Sequence, residues 1–263
     1  MHWYNRKGEP AYEVPYAGGI GKRATTLRDA RKLDLVPSVT TVGEVIRKPA
    51  IEYWNLSQLV LAIQNNFELV ASSVYNGTDW GNALISQSKN ASKEAAELGT
   101  EIHNALEKFY ESGEMSAKHT DIINAVDDLL KQEFSKSSSV WVCEPEVAFA
   151  HEEGFGGKVD LKACLVEDNG KLIHAIIDFK TKSKDDLTGT LAYDEHCMQL
   201  AAYRLGLKLP DASCYNLFIS TTSPGVVALH KWTEAELDRG LEMFRHALHY
   251  WQALNKYDTT IKG

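Results

Sequence analysis

The sequence has little of what would settle its class at a glance. Its 263 residues include four cysteines, Cys143, Cys164, Cys197 and Cys214, and no two are spaced C-x-x-C. That spacing argues against an iron–sulfur cluster, and free thiols in a reducing cytoplasm are expected. No apolar run approaches the roughly 20 residues needed to cross a bilayer. The polar start His2-Trp3-Tyr4-Asn5-Arg6 is no signal peptide, so a cytoplasmic protein without membrane contact is expected. Repeats and low-complexity tracts are absent. Gly18-Gly19-Ile20-Gly21-Lys22-Arg23 is not followed by the G-K-[ST] of a phosphate loop, which sets nucleotide binding aside. The His-x-Asp/Glu pair and distal His of a mononuclear iron oxygenase belong on a double-stranded β-helix, a setting this pattern does not offer, which argues against that class. Net positive charge is also lacking: the formal charge is −8.

What is present centres on Phe155 to Lys180, where Phe-Gly-Gly-Lys-Val-Asp160 is followed by a turn and then Ile-Ile-Asp178-Phe-Lys180. Residues two apart on a strand share a face, so Asp178 and Lys180 point together while Phe179 enters the core. Val159, Leu161 and Ala163 form the apolar alternation around Asp160, whose carboxylate leaves by the opposite face. The connecting Glu167-Asp168-Asn169-Gly170 reads as a hairpin turn. Two carboxylates and a lysine therefore converge on adjacent strands at the end of the apolar run Ile173–Ile177. Carboxylates suit a hard divalent cation such as Mg2+ or Mn2+. The lysine can orient or deprotonate a metal-bound water, or neutralise charge developing on a phosphate.

Three further segments accompany this one: Pro37-Ser38-Val39-Thr40, Gly99-Thr-Glu-Ile-His103-Asn-Ala-Leu-Glu107 and Gln199-Leu-x-x-Tyr203. Together with Gly-Gly-x-x-Asp160 and Ile-Asp178-Phe-Lys180-Thr-Lys182, and in this family order, they resemble the PD-(D/E)xK nuclease superfamily in its RecB-like exonuclease branch. Pro37-Ser38-Val39-Thr40 is similar to the amino-terminal signature of the mitochondrial genome maintenance exonuclease group and its phage and bacterial relatives. The resemblance spans roughly residues 37 to 203. It implies an α/β fold with a restriction-endonuclease-like core, a mixed central sheet flanked by helices, behind a helical N-terminal lobe. It also implies His103, Asp160, Asp178 and the Phe179 backbone carbonyl as metal ligands. A glutamate on the first core strand, Glu146 by spacing or else Glu144, would be catalytic and support a second metal. Glu107, one turn from His103, would orient it from behind.

Along the chain, residues 3–16 read as a hairpin and Thr25–Arg31 as a short polar helix. Pro37-Ser38 starts a longer helix, capped by Ser38 or Thr40; exposed N–H groups and hydroxyls there suit a phosphate. Pro49 restarts a helix through Trp54 to Ile63 with its aromatics in the core. Long and shorter helices follow at Asp79 to about Tyr110 and Asp121–Phe134, then a serine-rich loop at 135–139 and a strand over Val140–Ala150. Alternation there sets Glu144 and Glu146 against Trp141, Cys143, Val147 and Phe149. After a polar loop from Thr181 to Thr190, with Lys182 near substrate, Leu191–Leu207 is helical. Gln199 and Tyr203, an amide and a phenol one turn apart, can hold a DNA phosphate or a lysine. Two closing strands and a helix over Glu234–Leu254 complete the chain. Residues 1–136 thus form a hairpin and helical lobe of the same domain as the α/β core, 137–263.

Residues 1–48 carry nine Lys/Arg against five Asp/Glu, a local +4 that leaves −12 on the remainder. A basic arm on an acidic body is compatible with a confined DNA track. The expected activity is metal-dependent hydrolysis of DNA from single-stranded or frayed ends, in recombination, repair or degradation, with a recombination or single-strand-binding protein as a further partner. A structure-selective endonuclease and a non-catalytic DNA-binding protein on the same fold are the alternatives. The reading requires four side chains far apart in sequence to meet. An imidazole at His103 more than about 10 Å from both aspartates, with no movable element between, refutes it.

Overall fold

A computed structural model of the chain describes residues 1–67, 79–134, 140–166, 170–189 and 191–260. The serine-rich loop at 135–139, the turn residues 167–169 and Thr190 lie outside the described residues. Four short strands open the chain: β1 (Trp3–Tyr4), β2 (Glu13–Pro15), β3 (Lys22–Ala24) and β4 (Val36–Pro37). The expected turn forms, with Asn5 N–H donating to the Glu9 carbonyl at 2.9 Å. The hairpin continues for one bridge, Tyr4 opposite Pro10, with Ala11 N–H donating to the Trp3 carbonyl at 2.8 Å; β1 pairs on its other side with β4, and β2 pairs with β3. Adjacent residues of a two-stranded hairpin face opposite sides, so one of them stays in solvent. Trp3 and Tyr4 are both buried, and that requires cover from distant segments.

The helices start on recognisable caps. In α1 (Leu27–Leu33) Thr26 and Asp29 cap each other, and in α2 (Val39–Gly43) the Ser38 hydroxyl accepts from Thr41 N–H. The expected longer helix stops at Gly43, because four β-branched residues and a glycine in succession are poor helix formers. Next come α3 (Pro49–Asn65), α4 (Asp79–Ser112) and α5 (Thr120–Phe134). Tyr53 and Trp54 of α3, expected in the core, are exposed. Among the described residues no helix is long and apolar enough to cross a membrane.

A five-stranded mixed sheet flanked by helices forms the core. Its strands are β5 (Val140–His151), β6 (Phe155–Val166), β7 (Leu172–Lys182), β8 (Ser213–Ser220) and β9 (Val227–Lys231), in spatial order β5-β6-β7-β8-β9. Only the β7–β8 pair is parallel, and α6 (Asp194–Gly206) makes the crossover that a parallel pair needs. Strand β9 leads into α7 (Glu234–Asn255), capped by Thr233 and Glu236. Cys214 of β8 lies against α6, with its thiol directed at the Leu200 carbonyl, whereas Tyr215 packs edge-on to Phe134 of α5. Helices α6 and α7 thus cover one face, and α5 covers the other.

Two compact units are present, one of residues 1–46 with 103–263 and one of residues 47–102.

Strands β5 and β6 change face at one point. Trp141 meets Phe134 of α5, with ring centroids 5.8 Å apart, but Phe149 meets Tyr203 of α6 at 6.0 Å. Both are odd-numbered, and an uninterrupted strand would hold them on one face, as expected from the alternation. The interruption is Glu146, with φ of +55°, in the left-handed region that a side chain rarely adopts. Its neighbours keep register, Pro145 opposite Leu161 and Val147 opposite Val159, so Glu146 stands across from Asp160. Strand β6 turns over with it. Leu161 pairs with Ile177, whose partner Tyr215 faces α5, while Val159 joins the core shared with α6 and α7.

Candidate functional site

Asp160 sits at a fork. Strands β6 and β7 are paired from Val166–Leu172 as far as Leu161–Ile177, and beyond that β6 continues with β5 while β7 continues with β8. Asp160 therefore lies in mid-strand, at the first position where its strand has parted from β7. The parting would strand the backbone N–H of Phe179, and Asp160 Oδ2 accepts it at 2.7 Å. The side chain replaces a missing rung of the ladder and is aimed into the gap.

His103 reaches the same carboxylate from α4, with Nδ1 3.5 Å from Asp160 Oδ1. Its ring stands edge-on to Phe179, centroids 5.9 Å apart, on the side of β7 opposite Asp178. Burial alone would pull the His103 pKa down. The hydrogen bond and charge of Asp160, with Asp178 behind, outweigh burial and hold it above its usual value. For Asp160 burial acts upward, but His103, Lys180 and the Phe179 N–H together hold it below the ordinary carboxylate value.

Asp178 is 2 % exposed and takes donors from three elements. Lys180 Nζ, two residues along β7, lies 2.5 Å from Oδ2. Asn216 Nδ2, its register partner on β8, donates to Oδ2 at 2.8 Å, and Gln199 Nε2 of α6 donates to Oδ1 at 3.0 Å. Burial is the largest influence on this carboxyl and exceeds the pull of Lys180. With the charge of Asp160 added, it is pushed up to about 6. Buried negative charge here is undercompensated.

Gln199 is enclosed by the cluster. Lys180 donates to its Oε1 at 3.2 Å, and its Nε2 also donates to the Tyr203 hydroxyl at 2.7 Å. Tyr203 is buried, its hydroxyl is held well above the usual range by burial, and it supports Gln199 from behind. Gly157 opens the space for it: a Cβ there would lie 2.9 Å from Tyr203 Cε1 and 2.8 Å from Phe149 Cζ. The paired glycines before Asp160 are thus a steric requirement of the packed aromatics.

The remaining expected residues lie around this centre. Glu146, across from Asp160, is ion-paired with Lys158, and Glu144 with Lys162 at 2.8 Å. Strand β7 runs two residues past Lys180, so Lys182 is on the strand, not in the loop, with Nζ 5.5 Å from the Tyr193 ring and 5.7 Å from Phe218. Burial and the neighbouring Lys180 hold its pKa below the usual lysine value. Ser38 is buried and bridged to Gly156 of β6, with its hydroxyl also 2.9 Å from that of the exposed Thr40. Glu107 lies one turn of α4 beyond His103, and no described hydrogen bond joins the two. Arg6 and Arg23 of the basic amino-terminal segment are already paired with Asp34 and Asp29.

The donors are of the kind a divalent cation takes: the carboxylates of Asp160 and Asp178, the Phe179 carbonyl between them and the His103 imidazole. The undercompensated charge at Asp178 fits a cation as well. In the arrangement described, Lys180 lies against Asp178 Oδ2. Among the described residues no three His, Cys, Asp or Glu side chains close into a ready cage.

Asn216 is the site residue that motif reading misses. The signal was present: an amide in the centre of the apolar strand Cys-Tyr-Asn-Leu-Phe-Ile must find a partner once buried, and this one is fully buried.

No family model and no curated protein matches the chain. Among solved structures it is similar to a protein designated SSO0001, with 17% identity and a TM-score of 0.30, over 77% of this chain and 87% of that one. It is also similar to a candidate exonuclease from Eubacterium rectale, with 16% identity and a TM-score of 0.34, over 72% of this chain and 66% of that one.

Proposed function

We propose that this chain is a divalent-cation-dependent deoxyribonuclease on a restriction-endonuclease-like core, acting as an exonuclease on single-stranded or frayed DNA ends. The convergence of Asp160, Asp178, Lys180 and His103 where β6 and β7 separate carries this reading. Asp160, Asp178, the Phe179 carbonyl and His103 would hold Mg2+ or Mn2+, with Glu146 the candidate for a second ion. The cation, when bound, would supply Lewis-acid polarisation of a phosphoryl oxygen and a more acidic water.

The protein's own contribution follows from its contacts. Lys180 carries a positive charge to the site, and Gln199 limits where its ammonium can swing. Released from Asp178, that ammonium can orient a water for in-line attack or offset charge growing on the phosphate. His103 and the Phe179 N–H hold Asp160 ionised, and Gln199 and Asn216 fix both oxygens of Asp178. Ser38, Thr40 and Lys182 are the candidates for contact with the DNA backbone. Asp160, Asp178 and Lys180 lie on strands of the sheet, which holds them more rigidly than loops would.

The test is incubation of the protein with end-labelled single- and double-stranded DNA in Mg2+, Mn2+ or EDTA. Cleavage that requires the cation and spares circular single strands is expected. Lys180→Ala should lower turnover by about 10²- to 10³-fold, as loss of one electrostatic stabiliser does, while DNA binding persists. Turnover unchanged in that variant refutes the mechanism.

A further inference from the structure

Two amides grip Asp178, and each is oriented by a partner that can only donate. Gln199 must turn its Oε1 towards Lys180, because an ammonium accepts nothing, and so presents Nε2 to Asp178. Asn216 faces the same constraint from the other side. The indole N–H of Trp232, the residue that follows β9, donates to Asn216 Oδ1 at 2.7 Å, and Asn216 Nδ2 then points at Asp178 Oδ2, 2.8 Å away. Trp232 is itself buried at 6 % exposure, with the His230 ring edge-on to it at 4.4 Å. The line Trp232–Asn216–Asp178 thus crosses from the edge of the sheet to the fork through buried side chains only.

We infer that Trp232 is a positioning residue for the cation site: by fixing the orientation of the Asn216 amide, it sets the direction and hydrogen bonding of the Asp178 carboxylate. The inference rests on the reading of Asp178 as a cation ligand. Without the indole N–H, the Asn216 amide loses one of the two contacts that orient it, its Oδ1 is left buried without a donor, and its hold on Asp178 loosens. Turned over, it would set oxygen against oxygen at a buried carboxylate already short of positive charge. Outer partners of metal-binding carboxylates act in this way, and their loss lowers metal affinity about 10- to 100-fold.

The measurement is Mn2+ binding to the full chain without DNA, by electron paramagnetic resonance of the free ion, for wild type, Trp232→Phe, Asn216→Ala and Trp251→Phe. Trp251 is a fully buried tryptophan of α7 that packs edge-on to Trp3, so its variant reports what loss of a buried indole does away from the fork. Trp232→Phe keeps most of the ring and is the gentler change; Asn216→Ala is the second route if it fails to fold. The Mn2+ dissociation constant should rise about tenfold or more in both fork variants and stay within about twofold in Trp251→Phe. Wild-type binding with unchanged affinity in a folded Trp232→Phe or Asn216→Ala protein overturns the inference alone. Absence of Mn2+ binding by wild type overturns the cation reading and this inference with it.

Discussion

Replacing Asp178 by asparagine tests the electrostatics of the fork without any assumption about the reaction. Burial pushes this carboxyl from 3.8 up to about 6, so the folded protein holds its proton more tightly than the unfolded chain does. The sign follows from linkage: where the folded state binds more protons, stability falls as pH rises. The loss begins near the unfolded value, about pH 4, and is complete once the pH passes the folded value. A displacement of about two pH units corresponds to about 3 kcal/mol. Wild type should therefore lose about that much relative to Asp178→Asn between about pH 4 and pH 7. His103 adds in the same direction, because its raised pKa depends in part on Asp178. The amide of the variant would set one donor against a donor, at Gln199 if its oxygen keeps Lys180 and Asn216, but that cost does not vary with pH and drops out of the difference. Urea unfolding of both proteins in EDTA across this range is the assay. Stability curves that run parallel from about pH 4 to pH 7 refute the claim of a buried, undercompensated carboxylate. Mn2+ at saturating concentration should flatten the wild-type curve, since a bound cation removes the reason for the displacement.

Gly157→Ala should destabilise the fold by about 1–3 kcal/mol, the usual cost of forcing atoms into a packed core. It should also lower turnover by moving Tyr203 away from Gln199; full activity in a folded variant would show that the aromatic support is not needed. His103→Ala should reduce cleavage about 10- to 100-fold and lower the ratio of Mn2+- to Mg2+-supported activity, because imidazole is the softest donor in the set. An unchanged ratio would remove His103 from the cation. Remote from the fork, Arg245 holds the Glu153 carboxylate below its usual pKa, with the ion pair at 2.6 Å. A depressed carboxylate stabilises above its unfolded pKa and loses that contribution as pH falls. Glu153→Gln should therefore cost less than about 1 kcal/mol at pH 7, this pair being partly solvated, and nothing in acid. A difference that persists in acid would mean the pair acts by packing.

The sequence alone determined much of the local geometry of this cluster. Asp178 and Lys180 had to share a face because strands alternate, and the expected contact is there at 2.5 Å. Gln199 and Tyr203 had to meet because residues four apart on a helix are neighbours, and they do at 2.7 Å. The Ser38 cap of α2 was legible for the same reason: it depends on residues within a turn of one another. What only the tertiary structure decided is everything that depends on strand partnership. A hairpin pattern at residues 3–16 could not reveal that β1 pairs with a segment more than thirty residues away. Alternation along β5 could not reveal the reversal at Glu146, because a single left-handed residue exchanges every following side chain between faces. The place of Asp160 at the fork, and the line from Trp232 through Asn216 to Asp178, exist only once β6, β7, β8 and β9 lie side by side. Local spacing carries information over a turn or a pleat; pairing between strands is a property of the whole chain.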